Sequence, residues 1–189
     1  LGLQDAFVVI YAGIHGIAQG LETVLRAAEL LEDMEKIQFV FVGDGPRKAD
    51  LVALKRRLGL TNVTMLDPQP REAIPAYLSA ADVALVPLRD LDLFKDAVPS
   101  KLFDAWACEC PVLMSMAGEA RRILEEAQAG DFVRPESPQA LADTILRLSS
   151  QPELCRTYGR RGRRYVEEHY SRQAQARELA ALLEEIVES

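Results

Sequence analysis

The chain has 189 residues, 49% of them hydrophobic, a formal net charge of −7 and a pI near 5.0. That is enough apolar material for one sizeable domain, and it excludes a disordered chain. The acidic balance argues against nucleic acid as a partner: the one basic run, "RRGRRY" at 160–165, lies in an amphipathic helical stretch and reads as a solvated face.

In chain order, "AFVVIYAG" (Ala6 to Gly13) is a continuous apolar run of strand length ended by glycine. A helix follows from about Leu21 to Leu31, with Leu21, Val24, Leu25, Ala28 and Leu31 on one face. "QFVFVGDG" (Gln38 to Gly45) is a second buried strand, and Pro46 suits the first turn of the next helix. "NVTML" is a short strand and "REAIPAYLSAAD" a helix with proline near its start. "VALVPL" (Val83 to Leu88) is a strand followed by a long loop, after which Ser100 is expected to cap a helix running to about Cys108. "CPVLMS" and "GDFVRP" are strands on either side of the helix "EARRILEEAQ". Ser137 caps "PQALADTILRLSS", and helices over about 152–168 and 172–187 finish the chain.

Strands that are apolar on both faces and alternate with helices predict an α/β fold, a mainly parallel sheet covered on both sides. Ligands of such sheets bind at the carboxyl ends of the strands. The loops of interest are therefore 13–20, 43–46, 66–71, 87–100 and 116–119. Three cysteines, Cys108, Cys110 and Cys155, are odd in number and match no zinc spacing, so they predict free, packed thiols in a reducing compartment. No apolar stretch of about 18 residues predicts a membrane span. A start at Leu1 that enters a strand almost at once suggests a piece of a longer protein.

The first loop, "GIHGIAQGL", carries Gly13, Gly16 and Gly20, which allow close approach to a ligand, and His15, which either bonds a phosphate or sugar or is merely solvated. "FVGDGPRKADL" begins like a dinucleotide fingerprint, but Lys48 stands at the third glycine position, so a nicotinamide cofactor is not expected. The segment "FKDAVPSKLFDAWACECPVL" is more informative. Pro99, Ser100 and Lys101 open a helix whose first N–H groups are free to meet an anion, and Lys101 adds positive charge. Asp104, one turn in, suits ribose hydroxyls, and Asp96, ahead of the turn, suits further hydroxyls. A diphosphate flanked by sugars satisfies all of these groups. Local capping or pairing by Asp104, with Lys101 solvated, is the plainer alternative.

Asp96 and Asp104 stand in the E-x7-E arrangement, and "YAG", "QGLETVLRAAELL", "FVFVGDGP", "LGLTNVTML", "LSAADVALVPL", "PSKLFDAWACECPVL" and "AGDFVRPESPQALADTI" follow in order. In this the chain resembles the group 1, family 4-like retaining glycosyltransferases of the GT-B fold, over their C-terminal, donor-binding half. "YAGIHGIAQGLE" and "VPSK" look most like bacterial surface-polysaccharide enzymes of the N-acetylfucosaminyltransferase type. The resemblance implies a Rossmann-like parallel sheet of about six strands flanked by helices, with C-terminal helices. Residues 1–170 form the nucleotide-sugar-binding domain, and 171–189 form a helix that returns to an N-terminal half this sequence does not contain.

By the same resemblance Asp96 faces the donor sugar and Asp104 holds the ribose. Val98, Pro99, Ser100 and Lys101 grip the diphosphate, Gly13 is the close-approach glycine with Gly16 and His15 beside it, and Gln69, Pro70 and Arg71 lie by the base. The family's basic pair in the first loop falls here on Ile14 and Gln19, so Lys95 and Lys101, with His15 behind them, are the candidates to meet the leaving charge. Asp96 and Lys101 are the catalytic candidates. The activity implied is retaining glycosyl transfer from a nucleotide diphosphate sugar, most simply UDP-linked, without metal or other cofactor. The acceptor, carbohydrate or lipid-linked, would be reached through the N-terminal half, at the cytoplasmic side of a bacterial membrane. A UDP-sugar epimerase of the same fold and a non-catalytic nucleotide-binding domain stay open at this point.

Overall fold

The computed structural model describes residues 2–188. The apolar runs form six strands: β1 (Phe7–Ala12), β2 (Ile37–Val42), β3 (Val63–Leu66), β4 (Val83–Pro87), β5 (Val112–Ser115) and β6 (Gly130–Phe132). All pair in parallel, in the order β3-β2-β1-β4-β5-β6. β1 is central and pairs with β2 from Phe7–Ile37 through Ala12–Val42.

The helices are α1 (Leu21–Leu30), α2 (Lys48–Leu58), α3 (Ile74–Ser79), α4 (Ser100–Ala107), α5 (Glu119–Ala127), α6 (Pro138–Ser149), α7 (Pro152–Tyr165) and α8 (Arg172–Glu188). Alternate residues of each strand serve opposite faces. Val9 and Tyr11 of β1 join Leu21, Leu25, Leu51 and Ile145 in one core. Val8 and Ile10 join Leu102, Trp106, Ile123 and Leu124 in the other. The expected Rossmann-like sheet with helices on both faces is therefore the fold observed.

Three local expectations change. Pro46 lies two residues ahead of α2, whose N-cap position is Arg47. "REA" forms a 3-10 turn (Arg71–Ala73) before α3, so the proline falls in the first turn of a six-residue helix. Pro99 occupies the N-cap position of α4 and Ser100 is its first residue, so no side chain caps that helix. Ser137 does cap α6, its Oγ accepting from the Ala140 N–H at 3.4 Å. The three cysteines are free thiols; Cys110 and Cys155 are buried, and burial pushes both thiols up in pKa, Cys155 to about 11.

α7 continues through a π-type turn (Val166–Tyr170) into α8. On α8, Leu179, Leu182, Leu183 and Ile186 are each more than half exposed. They recur at helical spacing, which makes an apolar stripe that this chain leaves to solvent. Leu182→Glu is therefore expected to change the stability of the 189-residue chain by no more than about 0.5 kcal/mol, read from urea midpoints. A loss of several kcal/mol would mean that the stripe is covered. Among the described residues, no helix is long and apolar enough to cross a membrane.

Candidate functional site: a cationic crevice at the switch point

The strand order reverses between β1 and β4, so the loops leaving these two strands part and leave a crevice at their carboxyl ends. The first loop (13–20) and the loop before α4 (88–99) flank it. They are joined by the Arg89 N–H, which donates to the Ala18 carbonyl at 2.8 Å. Glu22, at the start of α1, draws in two guanidinium groups, Arg47 at 2.6 Å and Arg89 at 3.8 Å. One carboxylate thus ties together the segments that follow β1, β2 and β4.

Backbone contact between loops explains the glycines of "GDG". Gly43 has φ 141°, and a Cβ there would run into the Gly13 carbonyl; one on Gly45 would lie 2.6 Å from the His15 carbonyl oxygen. The second loop is pressed against the backbone of the first, which is the reason for both glycines. Gly43→Ala is expected to cost about 2–4 kcal/mol through steric strain, seen as a lower urea midpoint at unchanged m-value. Lys48, where the dinucleotide fingerprint failed, spans strand ends instead. Its Nζ donates to the Gly43 carbonyl at 2.7 Å, the Leu66 carbonyl at 2.9 Å and Asp67 at 3.0 Å.

Lys101 is the centre of the crevice. Its Nζ donates to the Tyr11 hydroxyl at 2.9 Å and lies 4.2 Å from the centroid of the Tyr11 ring. A Cβ on Gly13 would come within 2.9 Å of that nitrogen, so only glycine leaves the ammonium its place. Burial pushes the Lys101 pKa down to about 8, against the pull of the nearby Asp104 carboxylate. Lys101 and Asp104 share a cleft of about 40 Å³, floored by Ala12, Ile74 and Leu78. Ser100 is exposed, Pro99 and Val98 are half-buried, and Val98 packs into the core beneath. The first turn of α4 therefore presents its N–H groups without a side-chain cap beside a half-buried cation.

Asp96 and Asp104 are both exposed and make no hydrogen bond or ion pair among the described residues. Two acceptors are thus open to a ligand's hydroxyls. The local alternative for Asp104 is not what the fold adopts: that residue lies mid-helix in α4, makes no ion pair among the described residues, and Lys101 is half-buried rather than solvated. Lys95 points elsewhere: it is exposed and paired with Asp92 at 2.7 Å, a bond that raises its pKa. Its carbonyl accepts from the Glu119 N–H at 2.8 Å, which ties the loop to the start of α5.

Gln69 donates to the Asp67 carbonyl at 3.0 Å. Pro70 and Arg71 are exposed beside it, after β3 at the sheet edge. Among the described residues no hydrogen bond or ion pair links these three to the Lys101 cluster. Gly16 is half-buried in the first loop, against the Gln19 side chain.

His15 is not the solvated loop histidine that was one expectation. It is fully buried, with its ring against Tyr11 and Phe41 at 5.9 and 6.2 Å, and neither ring nitrogen has a hydrogen-bond partner among the described residues. Burial first, then Lys48 and Lys101, lower its pKa, while Asp44 opposes them. The imidazole is therefore held neutral at pH 7, beneath the loop and not in the open crevice.

Sequence reasoning missed Tyr11, Glu22, Arg47 and Arg89. Tyr11 had a readable signal: a hydroxyl near the end of an otherwise apolar strand, two residues before the close-approach glycine. The Glu22 pairings had none, because their partners lie 25 residues away or more.

Comparison with known proteins places the chain in a family. Residues 2–165 match the family described as Glycosyl transferases group 1. Alpha-D-kanosaminyltransferase of Streptomyces kanamyceticus is 28% identical over 98% of this chain and 47% of its own length. The putative colanic acid biosynthesis glycosyl transferase WcaI of Escherichia coli K12 is 31% identical over 82% of this chain and 39% of its own. The chain thus spans about half the length, or less, of these relatives. Among solved structures, Anabaena Alr3699/HepE in complex with UDP and glucose superposes with a TM-score of 0.82 at 20% identity, over 97% of this chain and 49% of that one. With its motifs, its sheet order and this match in hand, the chain belongs to the group 1 glycosyl transferases.

Proposed function

We propose that this chain is the donor-binding half of a retaining glycosyltransferase that takes its sugar from a nucleotide diphosphate, most simply UDP. One observation carries the reading: an uncapped helix N-terminus, with Lys101 at its second position and Asp104 one turn in, opens onto the β1/β4 switch point. The diphosphate lies on the first N–H groups of α4 with Lys101 against it, the ribose hydroxyls donate to Asp104, and the donor sugar meets Asp96. Gly13 leaves the backbone room for the phosphates. Gln69, Pro70 and Arg71 border the base.

Lys101 carries the part of the leaving-group stabilisation that Ile14 and Gln19 cannot supply, by holding negative charge as it develops on the diphosphate. Lys95 joins it only by leaving Asp92, and His15 supports the first loop from below. No metal or other cofactor is part of the proposal. The relative named for colanic acid biosynthesis and the UDP complex of the Anabaena protein support polysaccharide synthesis and a UDP donor. The acceptor, carbohydrate or lipid-linked, belongs to the rest of the enzyme, at the cytoplasmic face of a bacterial membrane. Residues 171–189 would reach toward that other half with their apolar stripe.

Titration calorimetry of the 189-residue chain with UDP tests the reading. A dissociation constant of about 0.1–1 mM is expected, or roughly 4–5.5 kcal/mol, with no sugar transfer by this chain alone. No heat at several millimolar UDP would remove the donor site from this chain. In the full-length enzyme, acceptor-dependent UDP release supports transfer, whereas a new free UDP-sugar formed without acceptor would make it an epimerase.

A further inference from the structure

We infer that Tyr11 is a positioning residue for the donor diphosphate, its hydroxyl joining the Lys101 ammonium to the backbone of the first loop so that cation and loop are held as one unit. The inference rests on the donor-site reading above and adds to it a residue with no assigned role.

The phenol has one proton and gives it to the Ile14 carbonyl at 2.6 Å. Its oxygen is then left to accept, and Lys101 Nζ fills that role at 2.9 Å. The chain of bonds runs from α4 through β1 to the first loop, joining residues 90 apart. Tyr11 is itself 1% exposed and wedged against His15 and Phe41, so its hydroxyl has little freedom to turn elsewhere. Burial raises the pKa of the phenol, so it remains a neutral donor and acceptor through the physiological range.

The arrangement answers a specific deficit. Ile14 and Gln19 leave the first loop without a cation of its own. Through Tyr11, the loop is bonded to a cation borrowed from α4, lodged where Gly13 has no side chain. The titratable groups facing Lys101 are Asp104 on its own helix, Tyr11 on β1 and His15 on the first loop; the α3 side of the cleft offers only Ile74 and Leu78. A hydroxyl that accepts from the ammonium favours its charged form, and so does Asp104. Burial and a neutral His15 do not.

Tyr11→Phe keeps the ring and the cation–π contact and removes only the hydroxyl. The first readout needs no donor: NMR titration of the Lys101 Cε and Nζ signals in the 189-residue chain. Lys101 is expected to titrate about half a unit to one unit lower in the variant. The second is UDP affinity at pH 7.5, expected to fall about three- to tenfold in Tyr11→Phe and to change little when the same substitution is made in Lys101→Ala.

An unchanged Lys101 titration overturns the inference. So does an equal loss of UDP affinity in both backgrounds, because Tyr11 would then act through the loop alone. If the titration shifts as expected but wild-type chain binds no UDP, the Tyr11–Lys101 coupling stands and the donor-site reading falls.

Discussion

Asp104→Ala is expected to remove most of the UDP binding of this chain, and Asp96→Ala to leave it nearly intact. Asp104 is an exposed carboxylate that makes no hydrogen bond or ion pair among the described residues, and it shares the Lys101 cleft on the helix that opens the crevice. Ribose hydroxyls donating to it form hydrogen bonds to a charged group, worth about 1.5–3 kcal/mol, or roughly 10- to 150-fold. Set against a starting constant of about 0.1–1 mM, that loss moves the dissociation constant to about 1 mM or well above it. Asp96 lies before the turn, and its proposed partner is the sugar, which UDP lacks. In the full-length enzyme the same Asp96→Ala change is expected to lower turnover at least about 100-fold, because a poorly held anomeric carbon misses its reactive geometry. Calorimetry on both variants decides the assignment. If Asp96→Ala loses UDP while Asp104→Ala keeps it, the two roles are reversed.

Lys101 gives the second large effect, and it carries a pH signature. Lys101→Ala is expected to weaken UDP by about 1–3 kcal/mol while barely altering uridine, since only the diphosphate meets the ammonium. Equal weakening of both would mean that Lys101 does not touch phosphate. Its pKa of about 8 sets the sign. Below that value the free chain presents an ammonium, and the bound diphosphate holds the proton more tightly still. As pH rises above about 8 the free chain loses the proton, binding must take one up, and UDP affinity falls. Near the limit the fall is about tenfold per pH unit, until the pKa of the complex is reached. Binding measured from pH 7 to 9.5 should therefore be flat and then decline. Lys101→Ala should be weak and flat throughout. A wild-type affinity that holds to pH 9.5 would show that the crevice keeps Lys101 charged by other means.

The same linkage acts on folding with the opposite sense. An unfolded lysine titrates near 10.4, above the folded value, so the unfolded chain binds more protons between about pH 8 and 10.4. In that window this one group makes the fold more stable as pH rises, while donor affinity falls. Holding a half-buried ammonium ready is thus a local cost to stability, offset by the packing on both faces of the sheet.

By itself, the sequence determined the elements and the class of fold. Apolar runs such as "FVVIYA" and "FVFV" have no polar face, so they could only become interior strands of a sheet covered on both sides. Ser137 could be read as a cap because its partner is three residues away. The helix N-terminus at Ser100 was legible for the same local reason, although Pro99 took the cap position. The order of the Asp96-to-Asp104 segment and its companion motifs was enough to place the family.

What the tertiary structure decided concerns contacts made across strands. Lys101 meets Tyr11 only because β1 and β4 are neighbours at the reversal of strand order. Glu22 gathers Arg47 and Arg89 because three loops converge at one end of the sheet. His15 is buried because the second loop folds down onto the first, and Gly43 must be glycine because the carbonyl beneath it belongs to Gly13. Periodicity and capping are encoded within a few residues along the chain. Where a cation sits is settled by residues brought together from 25 to 90 positions apart, and the burial that follows lowers its hold on the proton.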